Sequence, residues 1–290
     1  MSRWTDEIER LDPSLDYERI VFLLSTCEFA WDIEKSLEFA LFRTYGVPSI
    51  SGLLSRTGAF LNETRKRYDD TELLLSEISE NGQDSDRGRA ALDRINAMHA
   101  HYRISNADML YVLTTFVVEP VKWLDRFGRR PMTRKERDAW TNYYRAIGSR
   151  MGIDAIPERY EAFDAYGRAY EEAHYRYAKS NAEVGGATRD LLLSFYLPKW
   201  VVPYGRPFVH ALCDPALRAA MKFPSPPAWL ERMIFAGLHV RAALLRRYPV
   251  RKRPRLITAR ARPTYPGGYR IAELGTFPNG SKRTHEPYQP

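Results

Sequence analysis

The chain has 290 residues, of which 44% are hydrophobic and 13% are aromatic. This composition is sufficient for one large or two small domains with a buried core. The formal net charge is +8, and the surplus lies between Arg246 and Arg262, where eight residues are basic and none is acidic. Because the rest of the chain is balanced in charge, no nucleic-acid partner is expected.

Several other protein classes are disfavoured by motifs that the sequence lacks. Cys27 and Cys213 belong to no CxxC or CxxCH pattern, which argues against structural zinc and covalently attached haem and for a reducing compartment. No signal peptide is visible at the N-terminus, and the longest apolar run, residues 109–118, is shorter than the roughly 20 residues of a membrane-spanning helix. We therefore expect a cytoplasmic location, with peripheral membrane contact as an additional hypothesis.

Helical periodicity dominates the chain, so we predict an all-α fold. A single multi-helix domain is expected over residues 1–249, followed by an irregular, basic, Pro- and Gly-rich tail over residues 250–290. In chain order, helices are predicted for residues 17–46 (one or two helices), 49–60, 64–81, 85–103, 105–127, 133–150 and 157–182, after Gly186, in two short segments within 205–223, and for 226–248.

Three local signals refine these helix boundaries. Ser105 with Asp108, and Thr133 with Glu136, have the spacing of capping boxes and mark two helix starts. Pro120 lies inside the first of these helices and should kink or interrupt it, because proline lacks the N–H donor that a helix interior needs.

An arginine lies on the apolar face of the predicted helix over residues 64–81. Leu74 and Ile78 belong to an apolar stripe that continues at helical spacing back through Thr71 to Arg67. A guanidinium on a face that turns towards the core needs an anion, because it cannot lose its proton.

The segment RGRAALDRINAMHAHYR places a histidine in a comparable position. Leu92, Ile95, His99 and Tyr102 share one helix face, whereas His101 lies off that face. A neutral imidazole on an apolar face is a suitable axial ligand for haem iron, and a buried arginine is a suitable partner for a haem propionate. Spacing alone leaves ordinary explanations open: His99 as a hydrogen-bonded core residue, and a carboxylate as the partner of the arginine.

Long segments of the sequence resemble the rubber-oxygenase catalytic-domain family, which includes the latex clearing proteins and the MpaB-like oxygenases. The segments are FALFRTYGVPSISGLLSRTGAF, TRKRYDDT, INAMHAHYRISNADMLYVLTTFVVEPVKWLDRFGRRPMTRKER, RMGI and YPGGYRIAELG. The resemblance extends over roughly residues 15–275 and is closer to the MpaB-like branch. It implies an all-α fold that binds one non-covalent haem b.

The resemblance also implies the site residues. Arg67 and Thr71 match the family motif R-x-x-x-T, and His99 follows Thr71 by 28 residues, at the position of the axial ligand. By this resemblance His99 binds the haem iron, Arg67 supports the haem and the catalytic pocket, and Thr71 helps to hold Arg67 in place. Latex clearing proteins carry a lysine immediately before the motif threonine, whereas this chain has Asp70, and no counterpart of their proposed glutamate base is found.

The resemblance implies oxidative cleavage of an isoprenoid carbon–carbon double bond by dioxygen. The two departures favour a small lipophilic or prenylated substrate over rubber. Phe116, Trp123 and Tyr111 are candidate pocket residues, although aromatic residues at helical spacing are usually core residues. Thr114 and Thr115 are candidate donors to dioxygen, with hydrogen bonds to backbone carbonyls one turn earlier as the more ordinary role.

Two alternative functions stay open at the level of sequence. One is a haem enzyme of another reaction type, such as a hydroxylase, a peroxidase or a dehydrogenase. The other is a non-catalytic helical module that binds lipid or a membrane surface. Residues 228–262 combine an amphipathic helix with the basic segment, which suits weak contact with an anionic membrane, although a solvated basic linker also explains this pattern.

Overall fold

The all-α prediction is confirmed. The computed structural model describes residues 2–58 and 63–276, and within these ranges it contains thirteen α-helices and no β-strand. A short π-helical turn covers Leu24–Glu28, and a 3-10 turn covers Ile271–Glu273. The α-helices are α1 (Arg3–Arg10), α2 (Tyr17–Leu23), α3 (Ala30–Thr44), α4 (Pro48–Arg56), α5 (Thr64–Asn81), α6 (Asp86–His99), α7 (Asn106–Phe127), α8 (Arg134–Arg150), α9 (Tyr160–His174), α10 (Lys179–Ser194), α11 (Val202–Leu212), α12 (Pro215–Met221) and α13 (Ala228–Arg247).

The helix starts predicted at Ser105 and Thr133 are confirmed. Thr133 and Glu136 form a complete capping box at α8, and the Ser105 hydroxyl accepts a hydrogen bond from the backbone N–H of Asp108 at α7. The predicted interruption at Pro120 is wrong, since α7 continues through it. Helix α7 is buried between α3 and α9, and we attribute its continuity to this packing, which offsets the hydrogen bond that Pro120 removes. Residues 59 and 60 of the predicted 49–60 helix lie outside the described residues.

The predicted helix over residues 157–182 is wrong in extent. The chain forms α9 and α10 instead, and Tyr175 between them adopts an extended conformation. The Tyr175 hydroxyl donates to the backbone carbonyl of Arg43 at 3.0 Å, so a tertiary contact holds this break in place. The helix start predicted after Gly186 is also wrong, because Gly186 lies inside α10. Helix α6 likewise ends at His99, before the predicted residue 103, because a turn leads from it to the cap of α7.

Helices α3 and α7 form the centre of the molecule, and a buried arginine links them to two other helices. Arg43 on α3 lies 2.6 Å from Glu171 on α9, 3.4 Å from Glu119 on α7 and 2.5 Å from Asp214, which caps α12. Removing Arg43 would leave its carboxylate partners without a cation in or near the core.

The basic segment after α13 packs along the helical body. We call residues 250–276 the strap. The backbone N–H of Ile257 donates to Glu80 on α5 at 2.6 Å, and Arg262 pairs with Asp69 on α5 at 3.0 Å. Residues 277–290 of the predicted tail lie outside the described residues, and the domain boundary at residue 249 stays a prediction. In the ranges that the structure describes, no helix has the length and apolar character needed to cross a bilayer.

Candidate functional site

A large cavity of about 2380 Å³ lies among the helices. It exceeds the roughly 300–1,000 Å³ of a typical small-molecule pocket, so it has room for a large cofactor together with a substrate. Its walls come from α3 to α8, from α10 and from the strap.

One wall of the cavity is the apolar face of α5. Arg67, Thr71, Leu74 and Ile78 all line it, as their helical spacing predicts. The hydroxyl of Thr71 donates to the backbone carbonyl of Arg67 at 2.9 Å. This hydrogen bond joins Thr71 to the main chain of the helical turn that carries Arg67.

Residues at the end of α6 and just after it form another part of the wall. Ile95 and His99 of α6, and Tyr102 of the turn that follows, line the cavity. The Nδ1 atom of His99 is buried and has no hydrogen-bond partner within the described part of the chain. The explanation of His99 as a hydrogen-bonded core residue therefore does not account for this ring nitrogen.

Electrostatics keep the imidazole of His99 neutral. Burial, and then the positive charge of Arg67, lower the pKa of His99 to about 4. The two residues are therefore close enough to interact, which their sequence positions alone did not establish. At neutral pH the ring carries a free lone pair, which is the form that a metal ligand requires.

The surroundings of Arg67 combine phenols with one carboxylate. Burial lowers the pKa of Arg67, while Tyr45, Asp70 and Tyr102 act in the opposite direction. The carboxylate of Asp70 accepts a hydrogen bond from Lys66 at 2.7 Å and another from the Tyr265 hydroxyl of the strap. Asp70 thus serves as an attachment point for the strap.

The other candidates from the sequence divide into cavity and core residues. Phe116 lines the cavity, whereas Tyr111 and Trp123 do not. Tyr111 donates to Glu171 at 2.9 Å, and the indole N–H of Trp123 donates to Asp32 at 3.1 Å, so both have structural roles.

The two threonines of α7 have the ordinary role that the sequence suggested. Thr114 and Thr115 donate to the backbone carbonyls of Leu110 and Val112 at 2.7 and 2.8 Å. His101, predicted to lie off the His99 face, also lines the cavity, and its Nδ1 atom lies 2.8 Å from the Ala97 carbonyl oxygen.

Sequence reasoning missed an acidic cluster in the cavity wall. Carboxylate oxygens of Glu34, Glu38 and Glu72 lie within 4.8 Å of one another. Burial raises the pKa of Glu38, which accepts hydrogen bonds from Lys35 at 2.7 Å and from Tyr68 at 2.6 Å. The i, i+4 spacing of Glu34 and Glu38 was a detectable signal, but only the fold brings Glu72 to them.

The acidic cluster is balanced by neighbouring cations. Glu34 pairs with Lys35 at 3.2 Å and with Arg260 of the strap at 2.7 Å, and Glu72 pairs with Arg262. These ion pairs stabilise the carboxylates, and the cluster links α3, α5 and the strap.

Comparison with known proteins identifies the relatives of this chain. It is 32% identical over 250 residues to the ER-bound oxygenase mpaB' of Penicillium brevicompactum, covering 80% of this chain and 58% of that protein. It is 35% identical over 214 residues to the ER-bound oxygenase mpaB of Penicillium roqueforti (strain FM164), covering 68% of this chain and 72% of the relative. The mpaB of Penicillium brevicompactum is 31% identical over 240 residues, covering 80% of this chain and 57% of that protein.

The chain thus spans less than two thirds of the length of the two Penicillium brevicompactum relatives. A family model described as ER-bound oxygenase mpaB/B'/Rubber oxygenase, catalytic domain, matches residues 48–247, which include the motif helix α5 and the histidine at the end of α6. The chain belongs to this family of mpaB-like and rubber oxygenase catalytic domains.

Proposed function

We propose that the chain is a haem b-dependent oxygenase that acts on a lipophilic substrate, of which an isoprenoid is the leading example, by cleaving a carbon–carbon double bond with dioxygen. The observation that carries this proposal is that His99 and Arg67 line the same cavity and that the charge of Arg67 acts on the imidazole. Family membership supports the oxygenase class.

The side chains in the cavity fit the chemistry of haem b. His99 offers a neutral imidazole with an unpartnered buried nitrogen, and Arg67 offers a cation for a propionate. Haem b, when bound, supplies the iron centre at which dioxygen is activated. In this proposal His99 would bind the haem iron, Arg67 would pair with a propionate, and Thr71 would hold the main chain that carries Arg67.

The rest of the cavity supports a lipophilic substrate. Its wall is rich in leucine side chains from several helices, and apolar walls exclude water and bind apolar molecules. These leucines are Leu37, Leu41, Leu53, Leu54, Leu74, Leu75, Leu113, Leu191 and Leu192. Asp70 occupies the position at which latex clearing proteins carry a lysine, and it accepts hydrogen bonds from Lys66 and from Tyr265 of the strap. This difference from the latex clearing proteins supports a small or prenylated substrate over a polymer.

The first test is the visible spectrum of the purified protein after haem supplementation, before and after reduction with dithionite. We expect near-stoichiometric haem with a Soret band in the wild type and loss of that band in His99→Ala. His101→Ala is the matched control, because this neighbouring histidine lines the same cavity and should leave the band unchanged. A wild type that stays colourless would contradict the haem assignment and favour a non-catalytic lipid-binding module.

The second test distinguishes the reaction types. Prenylated candidate substrates are incubated with the reduced protein and dioxygen, and the products are identified by mass spectrometry. Double-bond cleavage gives two carbonyl fragments, whereas a hydroxylase or a dehydrogenase leaves the carbon skeleton intact. An intact oxidised product would retain the haem site and overturn the proposed cleavage.

A further inference from the structure

The outward face of α13 carries large apolar side chains that no other part of the described chain covers. Trp229, Met233, Val240 and Leu244 are between 50% and 62% exposed. At 3.6 residues per turn these four positions fall within an arc of about 60°, so they form one continuous stripe. We call them the apolar stripe.

The rest of the surface of α13 includes side chains that pack on the body. Leu230 and Ala242 are buried, and Phe235 stacks on Phe127 of α7 with 5.7 Å between ring centroids. The orientation of the helix is therefore fixed, and the apolar stripe faces solvent. The neighbouring helix α11 packs against α13 and also exposes aromatic side chains, Tyr204 and Phe208. An exposed apolar surface of this kind is typical of an interaction site.

Positive charges accompany the apolar stripe. They are Arg232, Arg246, Arg247, Arg251, Lys252 and Arg253, all exposed and none in an ion pair within residues 2–58 and 63–276. From residue 228 to residue 256 the sequence has one acidic residue, Glu231, which lies 3.9 Å from Arg218. The stripe and its margins therefore present apolar surface and positive charge together.

We propose that α13 and the start of the strap dock on an anionic lipid bilayer surface, with the apolar stripe inserted among the acyl chains at the interface. A helix that combines exposed Trp, Met, Val and Leu with arginines has the composition of an interfacial helix, and anionic headgroups neutralise the arginines. Docking between two copies would instead bring like charges together. This inference uses no residue of the haem proposal and stands independently of it.

The test is co-sedimentation of the full chain with vesicles of phosphatidylcholine alone or with about one third phosphatidylserine. The wild type should bind the anionic vesicles, and binding should weaken as ionic strength rises from about 0.1 M to 1 M, because the screening length falls from about 10 Å to 3 Å. The double variants Trp229→Ser/Val240→Ser and Arg246→Gln/Arg247→Gln should each bind at least about tenfold more weakly.

Matched control variants replace equally exposed residues elsewhere. Leu15→Ser/Tyr177→Ser removes exposed apolar surface, and Arg134→Gln/Arg168→Gln removes exposed charge. Both should bind as the wild type does. Far-UV circular dichroism and thermal unfolding confirm that each variant is folded, which is expected because all the substituted side chains are exposed.

Three results would overturn the proposal. The first is a wild type that does not sediment with anionic vesicles, and the second is test variants that bind as well as their controls. The third is concentration-dependent self-association of the wild type that the stripe variant abolishes while vesicle binding is unchanged. That third result would identify the apolar stripe as an interface between copies of the chain.

Discussion

Thr71 contributes to the candidate site through one hydrogen bond to the main chain. Its hydroxyl donates to the carbonyl oxygen of Arg67, one helical turn earlier. Thr71→Val keeps the volume of the side chain and removes the donor, so we expect the free energy of unfolding to change by at most about 1 kcal/mol. Under the haem proposal, haem affinity should fall further in Thr71→Val than in Thr71→Ser, as measured by Soret titration. Equal affinities in the two variants would show that the hydroxyl has no role in positioning Arg67.

His210 is a buried histidine away from the cavity and gives a prediction for pH dependence. Burial, and then the charge of Arg189, lower the pKa of His210 to about 4. Its Nε2 lies 3.1 Å from Nη1 of Arg189, so the neutral ring accepts a hydrogen bond. Because the unfolded pKa is about 6.5, the unfolded state binds the proton first as the pH falls.

The stability contributed by a neutral His210 is therefore present above about pH 6.5 and is lost as the pH falls towards 4. We expect His210→Gln to lose less stability than the wild type across this interval, by up to about 3 kcal/mol. Urea unfolding at several pH values measures this difference. His99 has a pKa lowered in the same direction, so the comparison between wild type and variant isolates His210. Parallel pH profiles would show that His210 titrates normally.

At the scale of elements, helix α5 contacts both the cavity and the strap. One of its faces carries Arg67 and Thr71, and its acidic residues bind the strap. The contacts are Arg262 to Asp69 and Glu72, Thr264 to Asp69, Tyr265 to Asp70, Tyr269 to Glu77, and Ile257 and Thr258 to Glu80. These contacts hold α5, the helix that carries Arg67 and Thr71, against the strap.

Arg262 is the central contact of the strap with α5. It is buried, lies 3.0 Å from Asp69 and also pairs with Glu72. Arg262→Met should destabilise the fold by about 3 kcal/mol, because it leaves buried carboxylates with fewer cations. Arg270→Met is the matched control, since Arg270 pairs with Glu273 on the surface of the same strap, and its loss should cost much less than that of Arg262. Unfolding in guanidinium chloride measures the loss of stability in each variant, and equal losses would rule out a special role for Arg262.

At the scale of the whole molecule, Arg43 connects four helices through carboxylates. Glu119 is buried and its pKa is raised by burial, while the pKa of Asp214 is lowered in part by the charge of Arg43. Arg43→Met should destabilise the fold by about 3–5 kcal/mol, because it leaves acidic groups in or near the core without their cation. Arg19→Met, which removes an exposed pair with Glu7, should cost at most about 1 kcal/mol. Thermal unfolding followed by circular dichroism measures both, and a small effect of Arg43→Met would show that water compensates for the lost cation.

Sequence patterns were sufficient to predict the helical class, most helix starts and the inward faces of α5 and α6. These features depend on periodicity and capping, which involve residues close together in the sequence. The positions of Arg67, Thr71 and His99 on those faces followed from the same spacing. Local spacing did not predict the break within residues 157–182 or the continuity of α7 through Pro120. Contacts between distant helices outweigh local propensity at both places.

Which side chains meet depends on the packing of the helices against one another. The proximity of Arg67 to His99, the gathering of Glu34, Glu38 and Glu72, and the exclusion of Tyr111 and Trp123 from the cavity all depend on how helices cross. Helical phase gives the direction of a side chain from its own axis and contains no information about the element opposite. The same reason applies to α13, whose amphipathic pattern was visible in the sequence but whose exposed face was fixed only by packing on α7.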